Sequence, residues 1–454
     1  MTTLTDTEFS EWLQYYFGEI TTQPSNYISD ITQWDTSQVT NMSNVFNASV
    51  YTTRANFNED ISGWNTSSVT TMYYMFHNSR QFNQDISGWD TSNVTDMNSM
   101  FYLAINFNLG QSSGIESGIP WNWDTSQVTT MENMFCGGSS TTNTFNQDIS
   151  SWNTSKVTNM TNMFRYQGFF NQDIGGWDTS SVTDMSFMFY STANFNIDIS
   201  GWNTSNVTTM FQMFNKAHAF NLGNASGVSS GISWSWDTSK VTDMRYIFSY
   251  TYNFNQDISS WNISKLTSMQ EFFYNAHKFN QDISGWDTSA INNMSQMFYN
   301  AYAFNQNIRY WVVKTTANLS NMFYGASAMK TTYGTITSPS YTEYYSNTPN
   351  INFFNLSLPS PNIYIQKSRV YRCSSNKLRT CIPAWTTEKK AQFFSGNQNQ
   401  MGFAVTDWAI MSRLVQNAKF QQGSRIAFAN ESLNAFGRWQ GAPGGAGSAP
   451  KNTF

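Results

Sequence analysis

A repeat solenoid is the fold class this sequence predicts, on three observations. The stretch from Phe82 to Phe101, FNQDISGWDTSNVTDMNSMF, returns with small changes along most of the chain. Its tryptophan recurs at Trp34, Trp64, Trp89, Trp123, Trp152, Trp177, Trp202, Trp236, Trp261, Trp286 and Trp311, at separations of 30, 25, 34, 29, 25, 25, 34, 25, 25 and 25 residues. The apolar letters of the motif hold their places from copy to copy. A base period of 25 residues with occasional insertions describes one supersecondary unit stacked on copies of itself, since a single unit cannot bury its own apolar face. The expectation is a stack of about eleven coils, each of short β-strands plus short helical turns. A capping helix precedes the stack and a separate basic C-terminal segment follows it.

Residues 1–30 are expected to form the N-terminal cap. Thr5 with Glu8 resembles a capping box. Phe9, Trp12, Leu13, Tyr16 and Phe17 fall at i, i+3, i+4, i+7 and i+8, one apolar stripe, and Gly18 is a stop signal; the spacing predicts a helix over 5–18. The open edge of a first coil invites aggregation, and this helix would cover it. The N-terminus lacks the basic and apolar regions of a secretory signal. No run approaches the roughly 18–20 apolar residues of a membrane span.

Residues 31–335 are the coils. Ten of them open on Phe-Asn, from Phe57 to Phe304. Asp-Ile-Ser-Gly/Ser-Trp follows in most copies, spaced for a short strand and a turn. Asp/Asn-Thr-Ser then reads as a corner, because those side chains bond nearby backbone amides. Val-Thr-x-Met-x-x-Met-Phe comes last; in one copy its apolar positions are Val94, Met97, Met100 and Phe101, suited to a bend running into one helical turn. Coils at strand spacing rise about 4.8 Å each, giving a rod roughly 50 Å long. Each apolar position then stacks on its own copy, and Met fills the gaps between aromatic rings.

Insertions interrupt the period. Asn47–Asn56 and Cys136–Thr144 lengthen the stretch after Met-Phe. Leu109–Asn122 and Leu222–Ser235 each add nine residues before the tryptophan, and the two are alike: LGQSSGIESGIPWN and LGNASGVSSGISWS. Trp123 and Trp236 lie 113 residues apart, which points to duplication of a four-coil block with two similar loops on one edge. Such loops are where binding sits on a rigid scaffold; packing filler is the plainer alternative.

Residues 336–365, rich in Ser, Pro, Tyr and Asn, read as a linker. Residues 366–440 read as a small basic domain or anchor, with an amphipathic helix over 404–419. Residues 441–454, GAPGGAGSAPKNTF, are too rich in Gly, Pro and Ala to build a core. Charge divides the same way. Residues 1–335 hold 12 Lys/Arg and 25 Asp/Glu, a net −13, whereas 336–454 hold 12 and 4, a net +8. Two such objects suit different partners.

Little in the sequence points to catalysis. No nucleophile elbow, phosphate-binding glycine loop, HExxH or CxxC pair is present. The three histidines, His77, His218 and His277, lie in different coils and are expected to be dispersed. Cys373 and Cys381 could bridge, but no second pair completes a zinc site with them. Asp60, Asp85, Asp148, Asp173, Asp198, Asp257 and Asp282 share one repeat position, an acidic stripe or a set of turn acceptors, with Ca²⁺ the alternative. At the corner after Trp, Asp and Asn nearly alternate from Asp35 to Asp287. There Asn is expected to separate stacked charges and to donate hydrogen bonds to its Asp neighbours. No catalytic, cofactor-binding or metal residue is assigned. Sequons such as Asn65-Thr66-Ser67 follow from the repeat itself.

WDTSNVTDMxxMF followed by FNQDISGW resembles the repeats of BspA-like leucine-rich-repeat surface proteins, over residues 31–330. The resemblance implies an LRR-like solenoid, of either hand, and roles in surface display, adhesion or protein binding. It carries no catalytic residue. The chain is expected to depart from secreted members of that class, with no signal peptide and no evident wall or lipid anchor. At the other end, GRWQGAPGGAGSAPKNTF resembles the C-termini of virion proteins from large DNA viruses of algae and protists. The expected function is therefore a non-enzymatic structural and protein-interaction role, as a capsid-associated virion protein anchored by the basic C-terminal segment. The alternative is a cell-surface adhesion or host-interaction protein. Expected partners are other proteins, among them capsid or surface neighbours and a host receptor, with multiple copies in an assembly. Nucleic acid is not an expected partner.

Overall fold

The computed structural model describes residues 3–139, 143–231, 233–333 and 346–354. The expectations for 366–440, for 441–454, for a helix over 404–419 and for Cys373 and Cys381 lie outside the described residues.

The first element is helix α1, Asp6–Tyr16. Thr5 caps it: the Glu8 amide donates to the Thr5 hydroxyl and the Thr5 amide to Glu8 Oε2, a reciprocal capping box. α1 buries Phe9, Trp12 and Leu13. Phe9 meets Trp34 and Trp64 edge-on at 6.1 and 5.4 Å, and Trp12 meets Trp34 at 5.4 Å. Asp6 does more than start the helix. In later repeats the amide at the Thr40 position donates to the carbonyl of the repeat before, as Thr70 N does to Thr40 O. Thr40 has no such neighbour, and its amide and hydroxyl go to Asp6 at 2.7 Å each. A carboxylate thus stands in for a missing repeat.

Every repeat is bonded to the next. Parallel bridges link Asn41, Thr71, Asp96, Thr130, Asn159, Asp184, Thr209 and Asp243 in series, and Ser268, Asn293 and Asn318 beyond them. Phe, Ile, Trp, Val and Met of the motif are buried throughout. The two phenylalanines of one repeat lie face to face, as Phe164 and Phe170 do at 4.0 Å, and each stacks on its counterpart one repeat away, Phe164 on Phe189 at 5.8 Å. The indole N–H of Trp177 donates to Ile149 O, and that of Trp202 to Ile174 O. This pattern recurs from Trp64 to Trp311. A ring that large brings one polar atom into the core, and the backbone of the preceding repeat satisfies it.

Two expected features of the repeat are absent among the described residues. The bridges are single pairs, not strands, and no helical turn follows Val-Thr. Along Met-x-x-Met-Phe the backbone N–H groups alternate in purpose. Met185, Phe187, Phe189 and Ser191 donate to the next repeat, while Met188, Tyr190 and Thr192 close turns on the residue three before. Left-handed residues make this possible: Phe187 has φ 58° and Ser191 φ 60°. A left-handed residue cannot continue a right-handed helix.

Asparagine supplies a further ladder. The Asn after Phe accepts, through Oδ1, the backbone N–H of its counterpart in the next repeat: Asn83 to Asn58, Asn108 to Asn83, and so on to Asn305 on Asn280, all at 2.7–3.0 Å.

The stack ends in helix α2, Ser327–Tyr333. Of the expected linker 336–365, residues 346–354 are described, and they return to the last repeat rather than leaving it. Phe323 N donates to Asn347 O, Asn321 N to Thr348 Oγ1, and Phe353 meets the Phe323 ring at 5.3 Å.

Candidate functional site

The buried letters of the motif repeat and its exposed letters differ, so the individuality of this molecule lies in the variable positions of Met-x-x-Met-Phe-x-x. The left-handed turns project these side chains outward, and over much of the stack they are aromatic. Tyr274, Tyr299 and Tyr324 form one column with rings 4.6 Å apart and nearly parallel. Beside it run His218, Tyr252, His277 and Tyr302, at 4.6, 4.7 and 4.6 Å. Toward the N-terminal end other variable positions hold Tyr166 against Tyr190 at 5.4 Å and Phe187 against Phe211 at 5.0 Å. Stacking locks these rings, so their edges and hydroxyls reach a partner at little entropic cost. Tyr302 and Tyr324 are 46% and 44% exposed.

No two of the three histidine rings touch, and each packs against tyrosine. His218 and His277 share one column with Tyr252 between them, and His77 lies against Tyr74 and Tyr102 at 4.8 and 4.9 Å. Burial pushes all three below the ordinary imidazole range, with Lys216 adding to the effect at His218 and Lys278 at His277. Neutral rings stack without desolvating a charge. Among the described residues no three His, Cys, Asp or Glu side chains converge as a metal site would require, and no helix is long and apolar enough to cross a membrane.

The aspartate column is a set of turn acceptors. Asp60, Asp85, Asp148, Asp173, Asp198, Asp257 and Asp282 each take the backbone N–H two residues on, at 2.8–3.0 Å. At the corner after Trp, Asp and Asn do one and the same job: Asn153 Oδ1 accepts from Ser155 N at 3.1 Å and Asp178 Oδ1 from Ser180 N at 2.9 Å. The expected bonds from Asn to neighbouring Asp are not formed among the described residues. The bond between repeats runs one residue later, where Thr154 Oγ1 donates to Asp178 O and Thr179 Oγ1 to Asn203 O.

The two like insertions fold alike, against the repeat that follows. In one, Asn108 Nδ2 donates to Ser112 O and Ile115 O; in the other, Asn221 Nδ2 donates to Ala225 O and Val228 O. Gln147 and Gln256 close the two loops onto those asparagines. Trp121 and Trp234 then take the place of the motif isoleucine, and their carbonyls receive the next indole N–H. Gly114, at φ +68°, lets the first loop lie on Phe169; a Cβ there would stand 2.7 Å from the ring. Ile115, Ile119 and Val228 are left exposed at the tips. An open notch of about 720 Å³ lies beside the second loop, with Asp173, Gly176, Asp198 and Gly223 among its walls.

From the sequence alone binding is expected in the insertions, and the aromatic face is not foreseen. One signal could have found it: in several copies asparagine stands where the left-handed turn falls, at Asn44, Asn133, Asn162 and Asn321, and Asn tolerates that conformation better than most residues. Read as turns, those positions would have sent the residues around them outward.

A family model described as "Mycoplasma protein of unknown function, DUF285" matches the chain three times in tandem, over residues 12–117, 110–228 and 223–335. No curated protein matches the chain, and no solved structure does.

Proposed function

The chain belongs to the DUF285 family of repeat proteins, and from that premise we propose that it is a non-enzymatic scaffold that binds another protein through its aromatic face. The observation that carries this is the gathering of variable repeat positions into columns of tyrosine, histidine and phenylalanine on a chain whose other repeat positions are core or turn. Tyr and Arg are the residues that dominate protein interfaces. The architecture proposed is an LRR-like solenoid of BspA type, supported by bonds that recur from each repeat to the next.

The experiment places a photo-cross-linking residue at Tyr299 or, as a control, at Asp178, in the full chain in its native setting. Cross-links to another protein from position 299 and none from 178 support the reading. Equal yields from both, or none from either, overturn it.

The place of action proposed is an assembled surface, with the basic segment 366–440 as anchor. The repeat family favours a cell surface; the tail GRWQGAPGGAGSAPKNTF favours a virion. Recovery of the chain in purified particles after a high-salt wash supports the virion, and protease accessibility on intact cells supports the cell surface. Deletion of 366–454 should release the chain from either; retention would overturn the anchoring role.

A further inference from the structure

Within the aromatic face, one cluster differs from the rest in charge. Arg165 and Lys216 approach the same ring, Tyr190, from the repeats before and after it, at 4.9 and 5.5 Å from its centroid. Arg165 also lies 4.9 Å from the Phe187 ring. Among the described residues the cations Arg54 and Arg245 pair with Glu19 and Asp243, but neither Arg165 nor Lys216 pairs with a carboxylate. Arg165 spends its outer nitrogens on the neutral oxygens of Asn162 and Tyr166, at 3.2 and 3.4 Å. Its Nε is buried with no acceptor among the described residues. Two cations converge on one ring, neither paired with a carboxylate, in a region carrying −13, and the buried guanidinium nitrogen is the atom that calls for a ligand.

We propose that Arg165, Tyr190 and Lys216 dock an acidic side chain of the partner protein, one Asp or Glu set among apolar or aromatic neighbours. The proposal rests on the aromatic face being the binding face. A guanidinium offers a fork matched to a carboxylate, and the surrounding rings exclude water and so strengthen the pair. A polyanion such as nucleic acid would meet the repulsive field of the whole region; a single carboxylate flanked by apolar side chains would not.

The test selects a random-peptide library on the full chain. Enriched peptides should carry Asp or Glu beside an aromatic residue. Replacing that acid by its amide should weaken binding about ten-fold, as should Arg165→Gln or Lys216→Gln in the protein. Lys156→Gln or Lys240→Gln, the same loss of one charge elsewhere, should leave binding unchanged. An unchanged near-UV circular dichroism spectrum checks that each variant keeps its core, and the half-buried Lys216→Gln carries the test if Arg165→Gln does not. Enriched peptides that are lost on Tyr190→Ala yet indifferent to the Gln variants overturn the carboxylate inference and leave the face standing. Peptides indifferent to Tyr190→Ala as well, or no enrichment, overturn both.

Discussion

At Asn221 one carboxamide makes four hydrogen bonds. It donates to Ala225 O and Val228 O and accepts from Asn255 N and Gln256 Nε2, with no exposure to solvent. It holds the second inserted loop and carries the asparagine ladder past it. Asn221→Ala would leave buried donors and acceptors unpaired, each worth about 1–3 kcal/mol. The expected result is a loss of about 3 kcal/mol, read as a lower urea midpoint; a midpoint within error of wild type would count against the ladder. Asn196→Ala, in a repeat where the corresponding asparagine is less buried, should lose less. The Phe-Asn pair was legible in the sequence as the start of each copy. That the Asn binds the copy after it was not, because a carboxamide can meet turn, solvent or neighbour, and only stacking register decides among them.

Within a single repeat the sequence predicts a strand, a corner and a helical turn, and the corner alone is present. The Asx-Thr-Ser corner is set by bonds spanning two residues, so local sequence suffices. The Met-x-x-Met spacing fits a helix as well as it fits an alternating turn, since both put the two methionines on one side. Inter-repeat bonding breaks the tie: Met294, Gln296 and Phe298 give their N–H groups to the next repeat, which a helix would keep for itself. The left-handed residues bear the strain, Gln296 at φ 56° among them. Gln296→Val puts a β-branched residue where it fits worst and should lower stability by about 1–2 kcal/mol. Gln296→Gly should be near neutral, since its freedom at positive φ offsets its entropy loss. Equal stability of the two variants would remove the left-handed conformation from the account.

Over the whole molecule the stability of the stack depends on carboxylates held as acceptors. Hydrogen bonds from the serine two residues on lower Asp60, Asp90, Asp178 and Asp237 below the usual carboxylate range. At Asp6 burial pushes upward, but the bonds from Thr40 and Asn41 outweigh it, and the result is also lowered. A pKa lower in the folded than in the unfolded chain contributes stability above the unfolded value, near about 4, that is lost as pH falls through the folded value. The melting temperature should therefore stay level from neutral pH to about 5 and fall below that. A variant with Asp90→Asn, Asp178→Asn and Asp237→Asn keeps its acceptor oxygens at any pH and should fall less. Parallel curves would show that these turns contribute nothing to acid stability.

What the sequence by itself determined is the repeat, its period, its buried letters and the position of its corners, because each depends on spacing along the chain or on contacts a few residues long. The tertiary structure alone decided which atoms of one repeat meet which atoms of the next. From that came the asparagine ladder, Asp6 in the place of a missing repeat, and the columns of tyrosine and histidine. Residues 25 or 34 apart in sequence become neighbours only when the copies stack. A face composed of one side chain from each repeat exists only after that register is set.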